Sequence, residues 1–180
     1  MTQTGGGGPI RLADGREVTL RPVSEGDDEL LLAIYASTRE EELAQVAWGE
    51  GQKEAFLRMQ FEAQSREYRA RFPDAEYDVI LLEGRAVGRW WVGRAEDEIR
   101  LLDIALLPDA QNRGVGGALL KLLIEEARAA GVPLRHMVFV MNEGARRFYE
   151  RLGFRVFEEV GAYLHMEWRP EGAAAEGQAK

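Results

Sequence analysis

The chain of 180 residues contains no cysteine. That single absence excludes disulfides, thiolate-held zinc and a cysteine nucleophile. Histidine is nearly as scarce. His136 and His165 are the only two, and they lie far apart without ligand spacing, so no metal centre is expected. No run of about 18 apolar residues occurs, so no membrane-spanning helix is expected. Residues 1–9 are polar and glycine-rich with no apolar core, which is not the pattern of a signal peptide. The expectation is a cytoplasmic protein. Positive charge is also in deficit: 23 Lys and Arg stand against 31 Asp and Glu, a formal net charge of −8. Nucleic-acid binding rests on Lys and Arg neutralising phosphates, so that class of partner is disfavoured. An acidic surface suits cationic substrates, or serves only to keep a protein in solution.

What is present suits one folded unit. Apolar residues make up 46% of the chain, and a chain of this size buries roughly 70% of its unfolded surface. Residues 1–9 read as a flexible tail, 10–169 as a single domain, and 170–180, rich in Ala, Gly and Glu, as a second tail. A β-branched strand over 18–23, with Pro22 near its end, suits a sheet edge. Ser24 and Asp27 are spaced as a capping box before a helix reaching Ser37. Residues 40–42 make an acidic break or a second short helix.

A long helix is expected over 52–71. Phe56 and Met59 are assigned to its packed stripe, with Phe61, Gln64 and Tyr68 on an adjacent one. Gln60 and Gln64 are candidates for the rim of a pocket. Residues 77–82 and 86–92 read as a hairpin across Glu83-Gly84. Trp90 and Trp91 then point to opposite faces, one into the core and the other towards a cleft or the sheet edge. A third strand, 99–107, completes an antiparallel meander.

The next stretch organises the rest: Gln111-Asn112-Arg113-Gly114-Val115-Gly116-Gly117-Ala118. It lies between that strand and a helical pattern over 119–130. Such a turn leaves backbone N–H groups at a helix start without intrahelical partners. With the positive end of the helix dipole, they favour an anion, usually a phosphate. Gly114 and Gly116 lack a Cβ, so a diphosphate can approach the backbone. A strand over 134–141 follows, parallel to the first through a right-handed crossover. Residues 143–151 form a helix closed by Gly153, and a final hairpin crosses Gly161.

The Gln-x-x-Gly-x-Gly loop resembles the coenzyme A pyrophosphate loop of the GNAT superfamily of acyl-CoA-dependent N-acetyltransferases. Downstream, the run from Asn142 through Ala145, Phe148 and Tyr149 to Gly153-Phe154 resembles that family's Asn-x-x-Ala-x-x-Phe-Tyr-x-x-x-Gly-Phe signature. The resemblance covers roughly residues 77–168. It implies an α+β fold: a mixed, mostly antiparallel sheet with one parallel strand–helix–strand unit, flanked by helices.

The same resemblance implies transfer of an acetyl group from acetyl-CoA to a primary amine, without a covalent enzyme intermediate or a metal. Asn112 to Gly117 would hold the diphosphate, with Gln111 opening the loop and Arg113 adding charge or standing as a surface arginine. Ile104, Ala105 and Leu106 would lie along the pantetheine arm, a backbone N–H facing the acetyl carbonyl. Asn142 would contact the cofactor arm, cap its helix, or do both. Tyr149 would donate a proton to the leaving thiolate or pack as a core aromatic. Where some relatives carry a base glutamate this chain has Arg100. Asp103 is the nearest acid: it binds the amine, relays its proton through water, or is a solvated strand charge. The acceptor is a small-molecule amine or a peptide amine, and the protein a monomer or homodimer. A non-catalytic acyl-CoA-binding or sensing domain of the same fold is the competing expectation.

Overall fold

The computed structural model describes residues 8–170, apart from the side chain of Glu41. The expected tail assignments therefore lie largely outside the described residues. Among the described residues, eight strands and five α-helices follow one another in the order β1 (Ile10–Arg11), β2 (Glu17–Pro22), α1 (Asp28–Ser37), α2 (Glu40–Leu43), α3 (Gln52–Arg71), β3 (Glu76–Leu82), β4 (Arg85–Arg94), β5 (Ile99–Leu106), α4 (Val115–Ala130), β6 (Leu134–Phe139), α5 (Glu143–Arg151), β7 (Arg155–Val160) and β8 (Tyr163–Trp168). The hydrogen-bonded strand order is β1-β2-β3-β4-β5-β6-β8-β7. This is the expected mixed α+β architecture. Among the described residues no helix is long and apolar enough to cross a membrane.

The chain forms two compact units. Among the described residues the first holds 8–92 and 103–118, and the second 93–102 and 119–170, so β5 contributes to both. In the first unit β2 pairs with β3 and β3 with β4, both antiparallel. Glu83 and Gly84 take positive φ angles of 52° and 74°, the twist that a two-residue hairpin turn requires. The short β1, which the sequence reading did not anticipate, pairs with Val18 and Glu17 of β2.

The expected capping box is present. Asp27 accepts from the Ser24 backbone N–H and hydroxyl at 2.8 and 2.9 Å and from both terminal nitrogens of Arg21 at 2.7 Å. The Arg21 hydrogen bonds, followed by that of Ser24, hold the Asp27 carboxyl well below the usual carboxylate range against the opposing effect of burial.

Two packing expectations fail here. Met59 is 59% exposed. The face that α3 buries runs through Leu57 and Phe61, which pack with Leu31, Tyr35 and Leu43, while Phe56 is only half-buried against them. Leu57, Phe61, Gln64 and Tyr68 recur at three- and four-residue steps, so they and not the Met59 row face inward. Trp90 and Trp91 are both buried, at 3% and 2% exposure, so neither faces a cleft. A half-buried strand would expose one of them; β4 is an interior strand covered on both faces.

In the second unit β5 and β6 run parallel, in register at Ile99 with Leu134 and Arg100 with Arg135. The strand next to β6 is β8, the second arm of the final hairpin, which leaves β7 outermost. Gly153, at φ 92°, closes α5 in the left-handed conformation expected of it.

Candidate active site

In the first unit the glycine loop has a defined backbone. Asn112 (φ 56°) and Gly114 (φ 84°) are both left-handed, a conformation that asparagine tolerates and glycine adopts without penalty. The Gln111 side-chain amide donates to the Leu106 carbonyl at 2.8 Å, tying the loop back to β5. The first helical hydrogen bond runs from the Ala118 N–H to the Gly114 carbonyl at 3.0 Å. The N–H groups of Val115, Gly116 and Gly117 precede it, so none has a carbonyl one turn back. No heavy atom lies within 4 Å of where a Cβ would stand on Gly114 or Gly117. Unpartnered donors beside open space fit a diphosphate.

β5 supplies the neighbouring features. Asp103, Ile104 and Leu106 are half-buried and Ala105 is buried. Behind them β4 approaches at Gly88, where an added Cβ would stand 2.4 Å from the Ala105 carbonyl oxygen. Asp103 is not a solvated strand charge: its Oδ2 meets Arg89 Nη2 at 2.5 Å. Arg89 is 2% exposed, and Nη2 also donates to Gln64 Oε1 at 3.1 Å. Its guanidinium lies 5.4 Å from the Tyr35 ring centroid and 5.7 Å from that of Phe61. Burial pushes the nearby Tyr77 hydroxyl above its ordinary value of 10.0, with the Arg89 charge opposing it.

Sequence reasoning missed Arg89. Its signal was a single charge inside the otherwise apolar run 87–92, at a position whose alternation places it on the face of Trp91.

In the second unit Asn142 caps α5, its side-chain oxygen accepting from the Ala145 N–H at 2.9 Å. Tyr149 is 3% exposed. Its ring centroid lies 4.6 Å from that of His136, 5.2 Å from Phe148 and 5.3 Å from Phe154. Packing is thus one role that Tyr149 does fill. His136, also missed from sequence, places Nδ1 2.8 Å from the Leu101 carbonyl oxygen. A carbonyl can only accept, so the proton sits on Nδ1 and the ring is fixed beside Tyr149.

Arg100 is bound to Glu98 at 2.7 Å, and Arg135 reaches the same carboxylate at 2.8 Å. Burial raises the Glu98 carboxyl, but the hydrogen bonds and charges of Arg100 and Arg135 together outweigh it and hold the group below 4.5. Among the described residues no group of three or more His, Asp or Glu is arranged to hold a metal ion.

The chain is similar to known proteins. The profile of the Acetyltransferase (GNAT) family matches residues 35–154. An uncharacterised N-acetyltransferase, CgeE of Bacillus subtilis, is 27% identical over 105 residues, covering 53% of this chain and 40% of that protein. A second, from Methanocaldococcus jannaschii, is 37% identical over 79 residues, covering 42% of this chain and 35% of that protein. The chain thus matches about two fifths or less of either relative's length. In fold it is similar to the PaiA N-acetyltransferase of Thermoplasma acidophilum, solved in complex with coenzyme A. The TM-score is 0.64 at 19% identity, over 84% of this chain and 98% of that one.

Proposed function

Because the chain belongs to the GNAT family of acetyltransferases, we propose that it moves an acetyl group from acetyl-CoA directly to a primary amine. The observation that carries this reading is the loop at 111–117, with left-handed Asn112 and Gly114 and donors that no carbonyl satisfies. Asn112, Arg113, Gly114, Val115, Gly116 and Gly117 hold the diphosphate, with Gln111 anchoring the loop to β5. When bound, acetyl-CoA supplies an activated acetyl carbon and a thiolate leaving group.

The remaining work falls to the chain. A backbone N–H among Ile104, Ala105 and Leu106 donates to the acetyl oxygen, a contact worth roughly 3–4 kcal/mol in enzymes where one such donor was removed. Asp103 takes the acceptor nitrogen and directs its proton outward through water. An amine with a pKa of about 10.4 needs about 4–5 kcal/mol to be present as free base at pH 7; the carboxylate holds the ammonium form and accepts the hydrogen bond along which its proton passes to water. Asn142 keeps its amide nitrogen for the cofactor arm while its oxygen caps α5. Tyr149 holds the proton that the departing thiolate needs. Acceptors are small amines or peptide amines.

The test is release of free thiol from acetyl-CoA across a panel of primary amines, followed by Tyr149→Phe with the best of them. Phenylalanine keeps the ring contacts with His136, Phe148 and Phe154. Loss of a positioned acid lowers kcat by about 10²–10⁴, with acetyl-CoA affinity unchanged. A kcat within about twofold of wild type would leave Tyr149 a packing residue. Saturable acetyl-CoA binding without thiol release for any amine would instead support an acyl-CoA-binding domain.

A further inference from the structure

Four buried side-chain atoms in the first unit form no hydrogen bond of good geometry among the described residues: Tyr77 Oη, Arg89 Nε, Trp91 Nε1 and Asp103 Oδ2, the last held by its ion pair with Arg89. They cluster. Tyr77 pairs with Trp91 across β3 and β4, Val79 with Arg89, and the rings of Tyr77 and Trp91 stack with centroids 4.0 Å apart. Native interiors leave few such atoms, and a concentration of them around one ion pair calls for a reason. Stability alone does not supply one, since a buried ion pair can often be replaced by apolar residues without loss.

The arrangement of the pair is directional. Arg89 is enclosed, with 3% of its side chain exposed, whereas Asp103 keeps 20%. Oδ2 is the enclosed oxygen of Asp103, so the exposed part of that side chain is the remainder. Behind them the guanidinium is held in place by Gln64 and by the faces of Tyr35 and Phe61. Arginine's planar fork suits this setting, because its stacking and its hydrogen bonds restrict it in different directions.

We propose that Arg89 is a positioning residue: with Gln64 it fixes Asp103 by Oδ2, so that the outward oxygen meets the nitrogen of a cationic acceptor amine. The inference rests on the reading of Asp103 as the acceptor's contact. It extends that reading to a residue on a different strand that touches no substrate.

A double-mutant cycle tests it, using Arg89→Met, Asp103→Asn and the pair, with the best amine from the panel. Melting temperature and acetyl-CoA titration on each variant serve as controls. Each single change lowers kcat/KM at least tenfold, mainly through KM for the amine, and leaves the acetyl-CoA affinity within about twofold. The pair is no worse than the worse single, because Arg89 acts through Asp103.

Losses that multiply in the pair, or a folded Arg89→Met with wild-type kcat/KM, overturn the proposal. An unimpaired Asp103→Asn beside an impaired Arg89→Met identifies the reading of Asp103 as the step that failed. Should methionine lower the melting temperature, Arg89→Lys replaces it in the cycle. A fall in the wild-type background but not in Asp103→Asn supports the proposal. No fall, or equal falls in both backgrounds, overturns it.

Discussion

Gly88 offers the sharpest structural perturbation of the proposed acetyl site, because it touches no ligand. It lies in β4 opposite Ile80 and is not among the residues with positive φ, so space and not dihedral freedom explains the glycine. In Gly88→Ala the new methyl would stand 2.4 Å from the Ala105 carbonyl oxygen, 2.7 Å from Leu106 Cδ2 and 3.2 Å from Ile80 Cδ1. The last two are ends of side chains that can rotate. The carbonyl is backbone and can move only with β5. Ordinary contact starts near 3.4 Å, so the two strands must part by about 1 Å at Ala105.

Overpacking of this kind costs about 1–3 kcal/mol. The alanine recovers about 0.4–1 kcal/mol by restricting the unfolded chain. A net loss near 1–1.5 kcal/mol lowers the melting temperature by about 2–6 °C for a chain of this size. The catalytic effect is larger in proportion. Ile104 to Leu106 are proposed to face the acetyl group, and a displacement of about 1 Å costs up to about 100-fold in rate. Thermal melts and steady-state kinetics on one preparation measure both. A variant melting within a degree of wild type with unchanged kcat would refute the close-approach argument and the assignment of this segment to the acetyl group.

Two further substitutions separate capping from chemistry. Asn142→Ala removes the acceptor for the Ala145 N–H and costs about 1 kcal/mol, a fall of about 2–4 °C in melting temperature; it also weakens acetyl-CoA binding if the amide contacts the cofactor arm, and unchanged affinity leaves Asn142 a cap alone. Asp27→Asn destabilises at neutral pH by about 1–2 kcal/mol through the weakened cap and Arg21 pair. The folded carboxyl titrates below its unfolded value of about 3.9, so its contribution is complete above that value and fades as pH falls through the folded one. Denaturant melts of both proteins should therefore begin to converge as pH falls below about 4; a gap of equal size at pH 7 and pH 3 contradicts the pairing.

The parts of the fold legible from sequence were those in which local signals agreed. Helix α3 runs from Gln52 to Arg71 and α5 from Glu143 to Arg151, as the glycine and capping punctuation indicated. The family resemblance was readable because its two motifs are local and ordered along the chain. What escaped depended on contacts distant in sequence. Met59 and the tryptophan pair were misplaced because periodicity defines a face without saying which neighbour covers it. β1 is two residues long and exists only through its pairing with β2. Arg89 was silent because its meaning lies in Asp103, which belongs to a different strand. His136 likewise gains significance only from the Leu101 carbonyl and the ring of Tyr149.

If the glycine loop binds the diphosphate of acetyl-CoA, calorimetric titration of acetyl-CoA into wild type and Gly116→Val will show it. Valine sets a branched Cβ where the backbone must be approached closely. Wild type should show saturable one-site binding, and the valine variant should lose it while retaining its melting temperature. Absence of binding to wild type, or wild-type affinity in the folded valine variant, would contradict it.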